Sequence, residues 1–154
     1  MIQFLKKLLK GLGKSDPDPE PTPDILENET ISRFLTSSGH LAKSKRIVKY
    51  GAFLPNGNGE TSVYRITGAT NPDIWDIGEN YVRAPIAKKR GSCNLHGRGD
   101  IEAKEILDTK LTIEPKPRPH PRHADIMSWP ESKEEKQMLA TELANKSVLH
   151  LPSD

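Results

Sequence analysis

Histidine, arginine and aspartate recur at close spacing in two segments of the sequence, and these residue types can transfer protons and bind phosphate. The segment LHGRGD places His96, Arg98 and Asp100 at alternate positions. In an extended conformation alternate side chains point to the same side, so the three groups would share one face. Histidine exchanges a proton near neutral pH, and the arginine fork can clamp a phosphate. The alternative is a glycine-rich turn in which Asp100 caps a helix.

The second segment, PKPRPHPRH over residues 115–123, has proline at every second position. Because proline restricts the backbone, the segment must be stiff and extended. It could lie along a phosphate chain or across its own domain, and the sequence leaves both open. His123 ends the segment and is a further candidate for proton transfer. The residues between the prolines are Lys116, Arg118, His120 and Arg122.

Metal-free cleavage of a phosphoester needs a proton donor, a proton acceptor and a cation for the developing charge. We therefore predict that His96, His123 and Asp100 are the catalytic residues. Arg65 enters the predicted phosphate site because SVYRIT places it among apolar neighbours, where an unpaired charge is unfavourable. The predicted phosphate-binding residues are Arg65, Arg98, Arg118, Arg122, Lys45 and Arg46.

The distribution of charge supports a phosphate-bearing partner more than the formal net charge of +2 does. Residues 31–50 and residues 83–98 contain lysine and arginine but no acid. Such a surface favours RNA, DNA or a nucleotide as the ligand. Aromatic residues are few near these stretches, which favours a nucleotide or a strand end over an extended platform. The alternative is two solvated loops.

Several other kinds of site are disfavoured. Cys93 is the only cysteine, so an internal disulfide and a four-thiolate zinc site are excluded. The histidines lack the short spacing typical of metal ligands, and we predict neither a metal nor a cofactor. Neither a serine triad nor a cysteine nucleophile has a local signature. No apolar run approaches the ~20 residues that span a bilayer, so we predict a cytoplasmic protein, with peripheral membrane attachment as an option.

The composition divides the chain into three segments. Residues 1–14 predict a basic amphipathic helix, residues 15–30 an acidic, proline-rich linker, and residues 31–154 one domain. The helix could dock on an anionic membrane surface, on a partner protein or on its own domain. The alternative function is therefore a non-enzymatic adaptor. Its docking residues would be Ile2, Leu5, Leu8, Leu9 and Leu12.

Hydrophobic periodicity and turn residues predict an α+β domain with a β-hairpin and short strands. The predicted hairpin joins residues 49–55 to residues 61–67 through the turn NGNG. A helix from Asn71 is predicted to end near Pro85, because proline disfavours helix continuation. The later elements are a helix at 101–107, a strand at 110–115, a helix at 131–146 with Met138, Leu139 and Leu143 facing the core, and an extended segment at 148–152.

A set of short motifs resembles a family of small, uncharacterised bacterial proteins. The motifs are ISRFLTSSGH, AFLP, SVYRI, DIWDIG, LHGRGDI and PRHADIMSWPESK. They span roughly residues 31–146, and the N-terminal helix and linker lie outside them. The resemblance implies a bacterial or mobile-element origin and a domain that recurs as a unit. The resemblance implies no activity and assigns no role to any residue.

Overall fold

The computed structural model of the protein describes residues 21–154. The predicted amphipathic helix and the first part of the predicted linker lie outside these residues. The last part of the linker contacts the domain, since the Lys104 amide donates to the Glu27 carbonyl at 2.9 Å and Arg65 Nη2 donates to the Asp24 carbonyl at 2.9 Å. Within the described range, no helix has the length and apolar character needed to cross a membrane.

In the described part of the chain, six antiparallel strands form one sheet. The eight strands are β1 (Thr30–Leu35), β2 (Leu41–Ala42), β3 (Ile47–Val48), β4 (Thr61–Arg65), β5 (Gly97–Glu102), β6 (Thr112–Pro115), β7 (His123–Met127) and β8 (Val148–His150). The spatial order in the large sheet is β6-β7-β4-β1-β5-β8, and β2 and β3 pair separately. The helices described below complete an α+β domain, which confirms the predicted fold class.

The helices are α1 (Asn71–Ile77), α2 (Ala84–Arg90), α3 (Ala103–Leu107) and α4 (Lys133–Lys146), with a π-helical turn, Gly78–Arg83, joining α1 to α2. The prediction that the first helix ends near Pro85 is therefore wrong. In the wider turn the Ala84 amide donates to the Glu79 carbonyl, five residues earlier. Pro85 then falls in the first turn of α2, where a missing N–H is tolerated.

The predicted hairpin between residues 49–55 and residues 61–67 is also wrong. Residues Tyr50–Ala52 form a 3₁₀ turn, and both edges of β4 are occupied by β1 and β7. The NGNG turn itself is confirmed, because Asn56 Oδ1 accepts from the amides of Asn58 and Glu60 at 2.8 and 3.1 Å. Hairpins occur instead at β2–β3 and β6–β7.

The remaining elements lie near the positions predicted from the sequence, with local differences. Strands β6 and β8 and helix α4 lie where they were predicted, and α4 begins after Ser132, whose Oγ accepts from the Glu135 amide at 3.0 Å. Met138 is 71% exposed, so its assignment to the core is wrong. Asp100 lies within β5 and caps no helix, because α3 begins only after Glu102.

Each face of the sheet carries its own core. The larger core contains Ile31, Val63 and Ile126 and is covered by α3 and α4. The smaller core contains Phe34 and Tyr64 and is covered by the helix that runs through α1, the π-helical turn and α2. Gly78 permits this close approach, because a Cβ there would lie 2.6 Å from the Phe34 ring. The second face is the one that also carries most of the polar strand side chains.

Candidate functional site

Two polar regions lie on the second face of the sheet. Cross-strand pairing places Asp100 beside Ser32 and Arg98 beside Phe34, towards β8. On the other side of Phe34 and Tyr64, the same face continues into β4 and β7 with the pairs Ser62–Asp125 and Tyr64–His123. The two regions contain similar residue types, and they differ in whether the arginine has a carboxylate partner.

The first region, the Arg98 cluster, consists of Arg98, Asp100, Asn71, Trp75 and His150. Arg98 Nε donates to both carboxylate oxygens of Asp100 at 3.2 Å, and Nη2 donates to Asn71 Oδ1 at 3.1 Å. Its Cζ lies 4.6 Å from the Trp75 ring centroid, and His150 Nε2 lies 3.4 Å from Asp100. Arg98 is only 4% exposed. The shared face predicted for Arg98 and Asp100 is confirmed, and the pair is closed to solvent.

His96 does not join His123 in a single site. It precedes β5, and its amide donates to the Leu35 carbonyl at 2.8 Å. Strands β1 and β4 lie between β5 and β7. Since adjacent strands lie about 4.8 Å apart, strands β5 and β7 are about 14 Å from each other. The structure thus separates the two histidines that the sequence assigned to one catalytic site.

The glycines of LHGRGD make room for the protein's own chain. A Cβ at Gly97 would lie 2.8 Å from the His150 carbonyl oxygen of β8. A Cβ at Gly99 would lie 3.1 Å from the Val48 side chain of β3. The absence of side chains at these positions therefore serves packing of the strands.

Two of the predicted phosphate ligands are buried with internal partners. Arg65 is 2% exposed, and its Nε and Nη2 donate to the Glu29 carboxylate at 2.8 and 2.9 Å. Arg122 is also 2% exposed and donates from Nη1 to the carbonyls of Arg65 and Thr67 at 2.8 and 3.0 Å. The counter-charge that the sequence required for Arg65 is therefore Glu29, at the end of the predicted linker.

The other predicted phosphate ligands lie in separate surface connections. Arg46 binds Asp154 at 2.6 Å, and this ion pair lowers the pKa of Asp154 to about 2. Lys45 is its exposed neighbour in the β2–β3 turn, whereas Arg118 is exposed between β6 and β7. These residues do not form a common site with the Arg98 cluster.

The second region, the cleft, opens between the sheet and the helix that covers it. Its volume is about 220 Å³. Arg33, Ser62 and Tyr64 line it from the strands, and Tyr81 lines it from the π-helical turn. His123 borders the same region, since its Nε2 lies 2.8 Å from Ser62 Oγ.

Arg33 is the cation of the cleft. Its Nε donates to the Ala52 carbonyl at 2.7 Å, and its Nη1 donates to the Ser62 carbonyl at 2.9 Å. Burial lowers the pKa of the guanidinium below its ordinary value. Within the described residues its partners are backbone carbonyls, and no carboxylate forms an ion pair with it. Arg33 therefore enters the cleft without an acidic counter-charge.

His123 is held by both ring nitrogens. Nδ1 lies 2.9 Å from the Lys116 carbonyl oxygen, and Nε2 lies 2.8 Å from Ser62 Oγ. A carbonyl oxygen can only accept, so Nδ1 carries the proton. In the neutral ring Nε2 then accepts from the Ser62 hydroxyl. Asp125 Oδ1 lies 3.6 Å from the same Nε2.

Aromatic rings surround the histidines of the cleft. The Tyr64 ring centroid lies 5.2 Å from that of His123 and 6.3 Å from that of His120, and Tyr81 lies 4.9 Å from His120. Burial raises the pKa of Tyr64 to about 12. Its hydroxyl is therefore protonated near neutral pH and can donate a hydrogen bond.

An acidic pair lies at the β7 side of the cleft. Burial and then the neighbouring Glu60 raise the pKa of Asp125, while the hydrogen bond with Asp125 lowers the pKa of Glu60. Each carboxyl therefore influences the ionisation of the other. Lys116 Nζ lies 3.4 Å from each of them. Among the described residues, no group of histidine, cysteine and carboxylate side chains is arranged to hold a metal ion.

Sequence reasoning identified His123 but missed Arg33, Ser62, Tyr64 and Tyr81 as parts of a site. A partial signal was present, because Ser62 and Tyr64 alternate on one strand as His123 and the following aspartate do on another. Pairing of these two strands brings the residues together. The sequence of neither strand indicates which strand pairs with it.

Comparisons of the chain with protein-family models, with curated proteins and with solved structures find no match. The geometry of the cleft and the sequence therefore carry the functional conclusion.

Proposed function

We propose that the cleft binds a phosphate-bearing ligand and that Arg33 is the main phosphate-binding residue. The observation that carries this proposal is a half-buried arginine that lines an open cleft; its hydrogen-bond partners are backbone carbonyls and, in the described part of the chain, no carboxylate pairs with it. Removing a charge from water is unfavourable unless a counter-charge is supplied. An anion in the cleft would supply it, and the planar fork of arginine suits phosphate.

The size of the cleft limits what can enter. Pockets for drug-sized ligands usually measure about 300–1,000 Å³. A volume of about 220 Å³ suits one phosphate group with the atoms next to it. The ligand is therefore a nucleotide, or the end of an RNA or DNA strand, inserted by its phosphate. The Tyr81 ring, 40% exposed at the cleft wall, offers a surface on which a base could stack.

The surroundings of the cleft favour an anion as well. Helix α2, which contributes Pro85 and Ile86 to the cleft wall, ends in Lys88, Lys89 and Arg90. These exposed cations would attract a negatively charged ligand towards the cleft at low ionic strength. The protonated Tyr64 hydroxyl adds a hydrogen-bond donor at the wall.

The test is binding of inorganic phosphate and of a nucleoside monophosphate to the full chain, measured by isothermal titration calorimetry. Replacing Arg33 with glutamine removes a charged donor, and a hydrogen bond to a charged group contributes about 1.5–3 kcal/mol. We expect Arg33→Gln to weaken binding by about 10- to 100-fold. Circular dichroism and the midpoint of thermal unfolding check that the variant is folded.

Arg90→Gln is the matched control, because it removes an exposed arginine from the end of α2. It is expected to weaken binding only slightly, with an effect that disappears as salt is added. Equal affinities of the wild type and a folded Arg33→Gln would contradict the proposal. So would a wild-type chain that binds neither ligand at low salt.

A further inference from the structure

The hydroxyl of Ser62 is placed like that of an activated nucleophile. It lies 2.8 Å from His123 Nε2, and it lines the open cleft. The Lys116 carbonyl fixes the proton of His123 on Nδ1, so the neutral ring presents its lone pair to Ser62. We propose that Ser62 is a nucleophile activated by His123 and that the ligand of the cleft is a phosphoester that transfers its phosphoryl group to Ser62.

Three parts are needed for such a site: a nucleophile, a base, and a group that orients the base. Here the orienting group is a backbone carbonyl rather than a carboxylate. Asp125, 3.6 Å from His123 Nε2, is placed to stabilise the positive charge that forms when the ring accepts a proton. The set resembles a serine triad in its geometry, although its members come from β4, β7 and the segment that precedes β7.

The cation of the cleft lies beside the nucleophile. Arg33 Nη1 donates to the carbonyl of Ser62 itself, at 2.9 Å. A phosphate bound by Arg33 therefore lies within reach of the Ser62 side chain, and the guanidinium can stabilise charge on the phosphoryl oxygens. This step rests on the proposed phosphate-binding function of the cleft.

Water is the only additional reactant that the reaction needs. Ser62 Oγ forms a bond to phosphorus while its proton moves to His123 Nε2. The bond from phosphorus to the leaving oxygen breaks, the electron pair remains on that oxygen, and His123 returns the proton to it. In the second half, His123 takes a proton from water, water oxygen attacks phosphorus, and Ser62 leaves and regains a proton.

A fluorophosphate ester tests the nucleophile without knowledge of the natural substrate. Diisopropyl fluorophosphate forms a bond from Ser62 Oγ to phosphorus and releases fluoride, and the adduct is located by peptide mass spectrometry of the full chain. We expect a single adduct on Ser62, absent in Ser62→Ala. Because a general base contributes about 10²- to 10⁴-fold, His123→Gln should slow labelling by about 100-fold or more. Ser92→Ala, which removes an exposed loop serine, should label like the wild type.

The outcomes separate this inference from the proposed function. Slower labelling of Ser62 in excess inorganic phosphate would support both. Phosphate binding without a Ser62 adduct would overturn the nucleophile and leave the binding function intact. Labelling that phosphate does not slow would support the nucleophile and contradict phosphate binding. Labelling of a folded His123→Gln at the wild-type rate would overturn the role of His123. If His123→Gln does not fold, the wild type still provides a test, because absence of a Ser62 adduct in the wild type would overturn the inference.

Discussion

The Arg98 cluster and the cleft contain similar side chains, yet they differ in how their charges are paired. Arg98 is 4% exposed and donates to Asp100 and Asn71. Arg33 lines an open cleft and donates to backbone carbonyls. A charge that already has its counter-charge stabilises the fold, whereas a charge that lacks one can bind a ligand. Residue type alone does not distinguish the two cases.

The serines and aspartates repeat this difference. Ser32 is fully buried, and its Oγ has no hydrogen-bond partner among the described residues, whereas Ser62 pairs with His123 at the cleft. Asp100 has Arg98 as its counter-ion, whereas Asp125 shares Lys116 with the neighbouring carboxyl of Glu60. The Arg98 cluster should therefore respond to mutation mainly in stability, and the cleft mainly in binding and reactivity.

The largest effect on stability is expected from Arg98→Met. The substitution leaves the Asp100 carboxylate, with a side chain 11% exposed, without its main counter-ion. Breaking a buried ion pair costs about 3–5 kcal/mol, so the free energy of unfolding should fall by about that amount in urea denaturation. The phosphate affinity of the chain that remains folded should not change.

Arg90→Met is the control for that substitution, since it replaces an exposed arginine and should change the free energy of unfolding by less than about 0.5 kcal/mol. If Arg98→Met destabilises the chain no more than this control does, the Arg98 cluster is not the stabilising region. A loss of phosphate binding in a folded Arg98→Met would contradict the prediction that the Arg98 cluster affects stability and not binding.

A smaller effect, of opposite sign, is expected from Ser32→Ala. The substitution removes a buried hydroxyl that has no hydrogen-bond partner in the described residues. Since burial of an unpaired polar group is unfavourable, the free energy of unfolding should rise by about 1 kcal/mol in urea denaturation. Ser62→Ala, the matched serine in the cleft, should show no such rise. A decrease for Ser32→Ala would mean that the hydroxyl has a stabilising partner inside the protein.

The smallest effect concerns pH and the acidic pair of the cleft. The pKa of Asp125 is raised above its ordinary 3.8, so the folded state holds a proton that the unfolded state releases. This favours folding at low pH, and the stabilisation is lost as pH rises through the raised pKa. From neutral pH down towards 3.8, the wild type should therefore gain stability relative to Asp125→Asn. Urea denaturation of both chains across that range measures the difference, and parallel pH profiles would contradict the raised pKa of Asp125.

Much of the fold could be predicted from local sequence, because helix caps, turns and alternating strands are local features. Helix α4 and strand β4 lie where their patterns indicate. Residues 49–55 look like a strand by composition, but β4 already has β1 and β7 at its two edges, so they form no pair with it. The continuation of the helix past Pro85 also has a physical reason, since a π-helical turn moves the proline into a first turn.

The candidate site was predicted less completely than the fold. His123, which the sequence selected, borders the cleft, and the contact of Arg98 with Asp100 was implied by their alternate positions. The proposed role of His96 with His123 required their strands to be neighbours, and they are not. The adaptor hypothesis stays a prediction, because residues 1–14 lie outside the described residues.

The sequence by itself determined the α+β class, the position of most elements and the presence of histidine and arginine suited to phosphate chemistry. Those properties depend on neighbours within a few residues. Only the tertiary structure decided which charges are paired, because Glu29 meets Arg65 and Ser62 meets His123 across strands distant in sequence. Counter-charges are set by strand order and register, so the tertiary structure alone leaves Arg33, among the described residues, with backbone carbonyls and no carboxylate as hydrogen-bond partners.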